Sequence, residues 1–141
     1  KLLLVGAEEE PSLLSLAKKL EIEKDVLFLG QRRDVADLLF AMDVFLFPSL
    51  REGLPVAAIE AQASGLPVLM ASTITREALV APNAKMLSLE ASPREWANAA
   101  VSAALEARKD NYDIMKAVGW DIKDRAARLA EYYRTGVFRD F

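Results

Sequence analysis

At 141 residues, with 52% hydrophobic and 28% charged side chains, the chain has the size and balance of one ordinary soluble domain, which excludes disorder and fibrous repeats. Its 18 basic and 21 acidic residues give a formal charge of −3 with no long run of either sign, so no nucleic acid is expected as a partner. It holds neither His nor Cys, which removes thiol nucleophiles, disulfides, imidazole bases and the usual zinc sites, and leaves carboxylates, Lys, Arg, hydroxyls and the backbone to do any chemistry.

The first predicted element is a strand over residues 2–5, reached directly after Lys1 without an initiator Met, which predicts an interior cut in a longer protein. Glu8, Glu9 and Glu10 read as a solvated loop before a helix over 11–20, where Leu13, Leu16, Ala17 and Leu20 recur at helical spacing. A strand over 26–29 and a helix over 34–42 follow, the helix capped by Asp34 and carrying Val35, Leu38, Leu39 and Met42 on one side. Next come a strand over 44–47, a helix over 55–64 closed by Gly65, and a strand over 67–70. These strands are short and continuously apolar, the pattern of strands covered on both faces in a parallel sheet. Their alternation with helices predicts an α/β fold: a Rossmann-like open parallel sheet with helices on both faces, joined by right-handed crossovers. In such sheets ligands lie beyond the carboxyl ends of the strands.

Beyond Leu87 the pattern turns helical. Ser92, Pro93 and Glu95 form a capping-box signature opening a helix to about Arg108, and Asp121 caps a last helix whose Ile122, Ala126, Leu129 and Tyr133 make one apolar stripe. Trp96 and Trp120 read as packing anchors. Residues 1–141 are thus expected as a single domain, with 1–90 supplying sheet and crossover helices and 91–141 the C-terminal helices. No apolar run approaches the roughly 20 residues of a membrane span, and the absence of cysteine suits the cytoplasm.

The chemistry concentrates between Pro48 and Pro67, on a strand-to-helix loop and the helix after it. Gly53 lets a ligand approach the backbone, and Pro55 tolerates a first helical turn where its missing N–H is not needed. Amides near Gly53, Leu54 and Val56 then face an incoming anion, and the helix dipole adds positive potential, so a diphosphate finds a seat there without Lys or Arg. Glu60 stands among Val56, Ala57, Ala58, Ile59, Ala61 and Ala63, in a helix expected to be largely buried. An ionised carboxylate there costs several kcal/mol unless compensated, so Glu60 must reach a cleft, meet donors such as a ribose diol, or pair with Arg51 or Arg76. Glu52, on the loop, is placed either to accept from sugar hydroxyls or to stand solvated at a helix start.

This stretch resembles the signature of family-four retaining glycosyltransferases, whose members carry two glutamates at this interval in the C-terminal domain of a GT-B fold. Phe28-Leu29-Gly30 with Arg33-Asp34-Val35, then Glu52-Gly53-Leu54-Pro55 and Glu60-Ala61-Gln62-Ala63-Ser64-Gly65-Leu66-Pro67, is similar to the bacterial capsular and exopolysaccharide branch, as is Asp121-Ile122 before Tyr132-Tyr133. The resemblance implies that Glu52 and Glu60 are the catalytic pair. Glu60 would bind the donor ribose and Glu52 the transferred sugar, with Gly53, Leu54, Pro55 and Val56 near the phosphates and Gln31, Arg32 and Arg33 beside the base. It further implies a UDP- or GDP-linked sugar as donor, no metal and no separate cofactor, and a polysaccharide or lipid-linked acceptor held by an N-terminal acceptor domain absent from this chain. The full-length protein would then work in the cytoplasm, at the inner face of a membrane that it touches peripherally.

Two departures from that pattern stand out. The loop from Ala71 to Glu77 lacks paired glycines, and the family's phosphate-binding Arg and Lys lie on an earlier segment, so the fragment alone is expected to bind nucleotide weakly and not to turn over. The other reading is a non-catalytic Rossmann-like module that binds a nucleotide or docks a partner. A phosphoacceptor domain needs clustered aspartates at strand ends, whereas Asp43 begins a strand. Tyr132, Tyr133 and Phe138 read as a seam against the absent domain.

Overall fold

The computed structural model describes residues 1–6 and 11–137, so the expectations for Glu8, Glu9, Glu10 and Phe138 fall outside the described residues. The chain divides into two units, Lys1–Asp37 and Leu38–Phe141. In the first, β1 (Leu2–Leu4) pairs in parallel with β2 (Val26–Phe28), Leu3 opposite Leu27, and α1 (Pro11–Lys19) joins them. Ala17 of α1 and Val26 of β2 are buried, and the helix gives way to Glu21 in the left-handed region, at φ 58°. Asp34 stands immediately before α2 (Val35–Ala41).

The second unit is built on β3 (Phe45–Phe47), β4 (Val68–Ala71) and β5 (Ala84–Leu87), parallel and in that order. Phe47 lies opposite Met70 and Met70 opposite Met86, so the three carboxyl ends share one edge. β4 runs down the middle with all four residues buried, which is why it reads as uninterrupted apolar sequence. It starts one residue after Pro67, whose nitrogen carries no hydrogen for the ladder. α3 (Val56–Ala63) connects β3 to β4, ending at Gly65 with φ +77°. A Cβ at Gly65 would collide with the Lys109 carbonyl oxygen, so both the dihedral and the space demand glycine.

β5 escaped the sequence pattern because Lys85 interrupts its apolar run, and its ammonium reaches Glu106 at 2.5 Å. The capping box at Ser92 forms as expected, Glu95 Oε2 accepting from the Ser92 amide at 2.7 Å, and holds the Glu95 carboxyl below its ordinary range. α4 (Pro93–Ala104) nonetheless stops four residues before Arg108. Arg108 is needed elsewhere: its guanidinium donates to the carbonyls of Ser64 at 3.1 Å, Leu39 at 2.6 Å, Phe40 at 3.0 Å and Met42 at 2.5 Å, tying the ends of α2 and α3 together. Satisfying those terminal carbonyls takes precedence over extending the helix.

A short α5 (Tyr112–Ala117), not anticipated from sequence, precedes α6 (Ile122–Thr135). Asp121 caps α6 by accepting from the amides of Lys123 at 2.8 Å and Asp124 at 3.3 Å, and Tyr112 donates its hydroxyl to the same carboxylate at 2.9 Å. The expected apolar stripe is present on α6 but exposed, with Ile122 at 78% and Tyr133 at 79%. No described helix is long and apolar enough to cross a membrane.

Candidate functional site at the start of α3

The loop from Pro48 to Pro55 leaves the carboxyl end of β3 and delivers the chain to α3. Pro55 occupies the cap position and makes no side-chain cap bond. Among the described residues no acceptor meets the amides of Gly53, Leu54, Val56 or Ala57, and a Cβ built on Gly53 would meet nothing within 4 Å. The helix therefore presents unsatisfied N–H groups and its positive dipole end to open space.

Glu52 is exposed but held. The Ser49 hydroxyl donates to Glu52 Oε1 at 2.8 Å, and the Ser49 carbonyl accepts from Thr73 Oγ1 at 2.9 Å. Thr73 belongs to the loop after β4, so two neighbouring strand-end loops are clasped directly beneath the glutamate. An open cleft of about 470 Å³ adjoins this loop, lined by Leu54, Arg76, Val80, Val118, Trp120 and Arg125 among others. Neither Glu52 nor Glu60 lines it, and Trp120 stands on its wall.

The expectation of a largely buried Glu60 needs correction. α3 buries Ala58, Ile59, Ala61 and Gln62, while Val56, Ala57, Glu60 and Ala63 share its exposed face. Steps of about 100° put positions 56, 60 and 63 on one side, and the small side chains that read as core are simply small. Glu60 consequently bears no burial cost, and its carboxylate meets neither Arg51 nor Arg76 among the described residues.

The buried polar residue of α3 is Gln62, fully inaccessible. Its Nε2 donates to the carbonyls of Ala58 at 3.0 Å and Ala78 at 2.8 Å, and its Oε1 accepts from the amides of Val80 at 3.0 Å and Ala81 at 2.9 Å. A neutral amide has two donors and two lone pairs, and every one is used. Asn111 adds a bond from Nδ2 to the Gln62 carbonyl at 2.8 Å, and Asn83 donates to the Gly65 carbonyl at 2.9 Å. α3 is locked from behind to the segment around a short 3-10 turn (Arg76–Ala78) and to the approach to α5, leaving its front open. Sequence reasoning missed Gln62, Ser49 and Thr73; an uncharged polar residue facing away from Glu60 in an alanine-rich helix was the available sign of Gln62.

In the first unit, Gln31, Arg32 and Arg33 follow Gly30, and all three are exposed. Arg32 grips Asp34 bidentately, at 2.8 and 2.6 Å, which lowers the Asp34 carboxyl and raises the guanidinium from their ordinary values. Among the described residues no group of three or more acidic side chains is placed to hold a metal.

The α/β chain has parallel strands, a glutamate on a strand-end loop and an open helix start, and comparison with known proteins makes its class definite. Residues 1–106 match the family model described as "Glycosyl transferases group 1", and the chain belongs to that family. It is 34% identical over 128 residues to the "Putative glycosyltransferase EpsF" of Bacillus subtilis (strain 168), covering 88% of this chain and 33% of that protein. It is 43% identical over 61 residues to the Escherichia coli UDP-Gal:alpha-D-GlcNAc-diphosphoundecaprenol alpha-1,3-galactosyltransferase, covering 43% of this chain and 16% of that enzyme. The crystal structure of WaaG, a glycosyltransferase involved in lipopolysaccharide biosynthesis, superposes with a TM-score of 0.66 at 23% identity, over 90% of this chain and 37% of WaaG, and shares its GT-B-type α/β fold. The chain spans about a third of the length of EpsF.

Proposed function

We propose that this chain is the nucleotide-sugar-binding half of a retaining glycosyltransferase of the capsular and exopolysaccharide type, moving a sugar to a polysaccharide or lipid-linked acceptor. The observation that carries the reading is the uncapped start of α3 beside a restrained Glu52, in a chain of this family. The diphosphate lies against the amides of Gly53, Leu54, Val56 and Ala57, where the helix dipole favours negative charge. Glu52 accepts hydroxyl hydrogens from the transferred sugar. Glu60, eight positions on and exposed, accepts from the ribose diol, since an ionised carboxylate offers only acceptors. In the complete protein an N-terminal domain supplies the acceptor site and an earlier segment supplies further phosphate contacts, so the chain alone binds nucleotide weakly and does not turn over.

The donor is a UDP- or GDP-sugar, used without a metal. Diphosphoundecaprenol, named for the Escherichia coli relative, is a membrane lipid, which supports peripheral contact of the complete protein with the inner face of the cytoplasmic membrane.

The test is a donor screen with the complete protein, comparing wild type with Glu52→Ala and Glu60→Ala. Each lost hydrogen bond to a charged group is worth roughly 1.5–3 kcal/mol, so kcat/KM for the donor should fall about 10- to 100-fold in either variant. If both keep full rate and donor affinity, the site is misassigned. Tight donor binding with no transfer or hydrolysis from any sugar nucleotide would favour the non-catalytic module.

A further inference from the structure

We propose that Ser49 is a positioning residue for Glu52, and that Thr73 fixes Ser49 in turn; this rests on the reading of Glu52 as the carboxylate that meets the transferred sugar. Ser49 Oγ lies 2.8 Å from Glu52 Oε1 and 3.2 Å from the Arg51 carbonyl. A hydroxyl has one hydrogen, and the shorter contact, to a charged acceptor, is the one that takes it. Glu52 Oε1 is thereby engaged from within the loop, and Oε2 is left to accept a sugar hydroxyl.

The arrangement addresses a specific difficulty. Glu52 is exposed on a loop with three rotatable side-chain bonds, and a carboxylate that wanders must be ordered anew each time a sugar arrives. Ser49 removes part of that freedom beforehand, the usual way in which preorganisation raises affinity and rate. The restraint would be worthless if Ser49 itself moved. Its side chain is half-buried, and its carbonyl is fixed at 2.9 Å by Thr73 Oγ1 from the loop after β4. Because β3 and β4 are adjacent parallel strands in fixed register, Phe47 opposite Met70, the clasp refers Glu52 to the sheet.

The experiment is a double-mutant cycle in the complete protein: wild type, Ser49→Ala, Glu52→Ala and the pair, with kcat/KM for the sugar nucleotide and the inhibition constant of the free nucleoside diphosphate read for each. Ser49→Ala should lower kcat/KM about tenfold, the scale of one hydrogen bond to a charged group, and leave nucleoside diphosphate inhibition unchanged, because the diphosphate does not reach Glu52. In the Glu52→Ala background the same change should cost less than about twofold. Ser49→Thr, which keeps the hydroxyl, should recover most of the rate. Thr73→Val, isosteric but without a donor, should lower kcat/KM about threefold in the wild-type background only. Equal losses from Ser49→Ala with and without Glu52 would overturn the proposal, as would equal weakening of nucleoside diphosphate inhibition. A Thr73→Val protein at full rate would remove Thr73 from it. The parent reading fails separately, and only if Glu52→Ala itself is silent.

Discussion

Replacing Gln62 with leucine puts the locked back of α3 to the test. The two side chains are close in size, so the substitution leaves little cavity and isolates the polar contribution. It orphans the Ala78 carbonyl and the amides of Val80 and Ala81, all three bonded to the Gln62 side chain. Ala78 is fully buried and Ala81 is 4% exposed, so water cannot readily replace the lost partners there, whereas Val80 is only half-buried and recovers part of its loss. At about 1–3 kcal/mol for each buried group left unmade, and crediting leucine with some added apolar burial, the net loss is about 3–5 kcal/mol. That is a large part of the 5–15 kcal/mol typical of a domain. Urea unfolding followed by tryptophan fluorescence should show the midpoint falling by roughly 1.5–2.5 M with an unchanged slope, for a slope of about 2 kcal/mol per M. A loss below about 1 kcal/mol would show that the network stabilises nothing. Gln62→Glu supplies a control with a sign. Facing the Ala58 and Ala78 carbonyls, a buried glutamate can donate only while protonated, so its pKa is raised in the folded state. Stability is then greatest at low pH and lost as pH rises through that raised value, so acidification should narrow the gap to wild type.

Two further outcomes are expected. Gly65→Ala must hold φ near +77° and push against the Lys109 carbonyl, so it should destabilise by about 3 kcal/mol and lower Tm by about 10 °C, which calorimetry would read. The Asp121 carboxyl lies below its ordinary range, chiefly through the Tyr112 hydroxyl and then through the Asp124 and Lys123 amides. Its contribution to α6 is therefore fully present above the unfolded pKa and lost as pH falls through the depressed folded value; circular dichroism should show an acid-side loss of helix that is absent from Asp121→Ala.

How far the sequence could be read depended on whether a residue's meaning was local. β4 announced itself because a strand covered on both sides is apolar at every position, and the capping residues Ser92 and Asp121 did so because a cap bonds only two or three residues ahead. Arg108 was misread as helix because its partners lie 44 to 69 positions earlier in the chain, and no window of neighbouring residues contains them. Ser49 and Thr73 were silent for the same reason: the clasp crosses 24 positions through a strand pairing that composition does not encode.

Glu60 and Gln62 show most sharply what periodicity alone leaves out. Both are polar, both sit among alanines, and the sequence drew attention to the charged one as the anomaly of a buried helix. The physics favours the opposite assignment. Only one face of an eight-residue helix between β3 and β4 can meet the sheet, and the residue that can enter that face without a charge to neutralise is the amide, whose four hydrogen-bonding positions match two carbonyls and two amides. Glu60, about 200° away around the axis, is thereby turned to the face that the fold leaves open. A charged side chain there needs no special partner to exist, so its presence argues for a ligand only together with the open amides at the start of the same helix. It follows that Gln62→Leu should disturb donor binding only as far as it loosens the helix, whereas Glu60→Ala should disturb donor binding and leave the unfolding midpoint where it was.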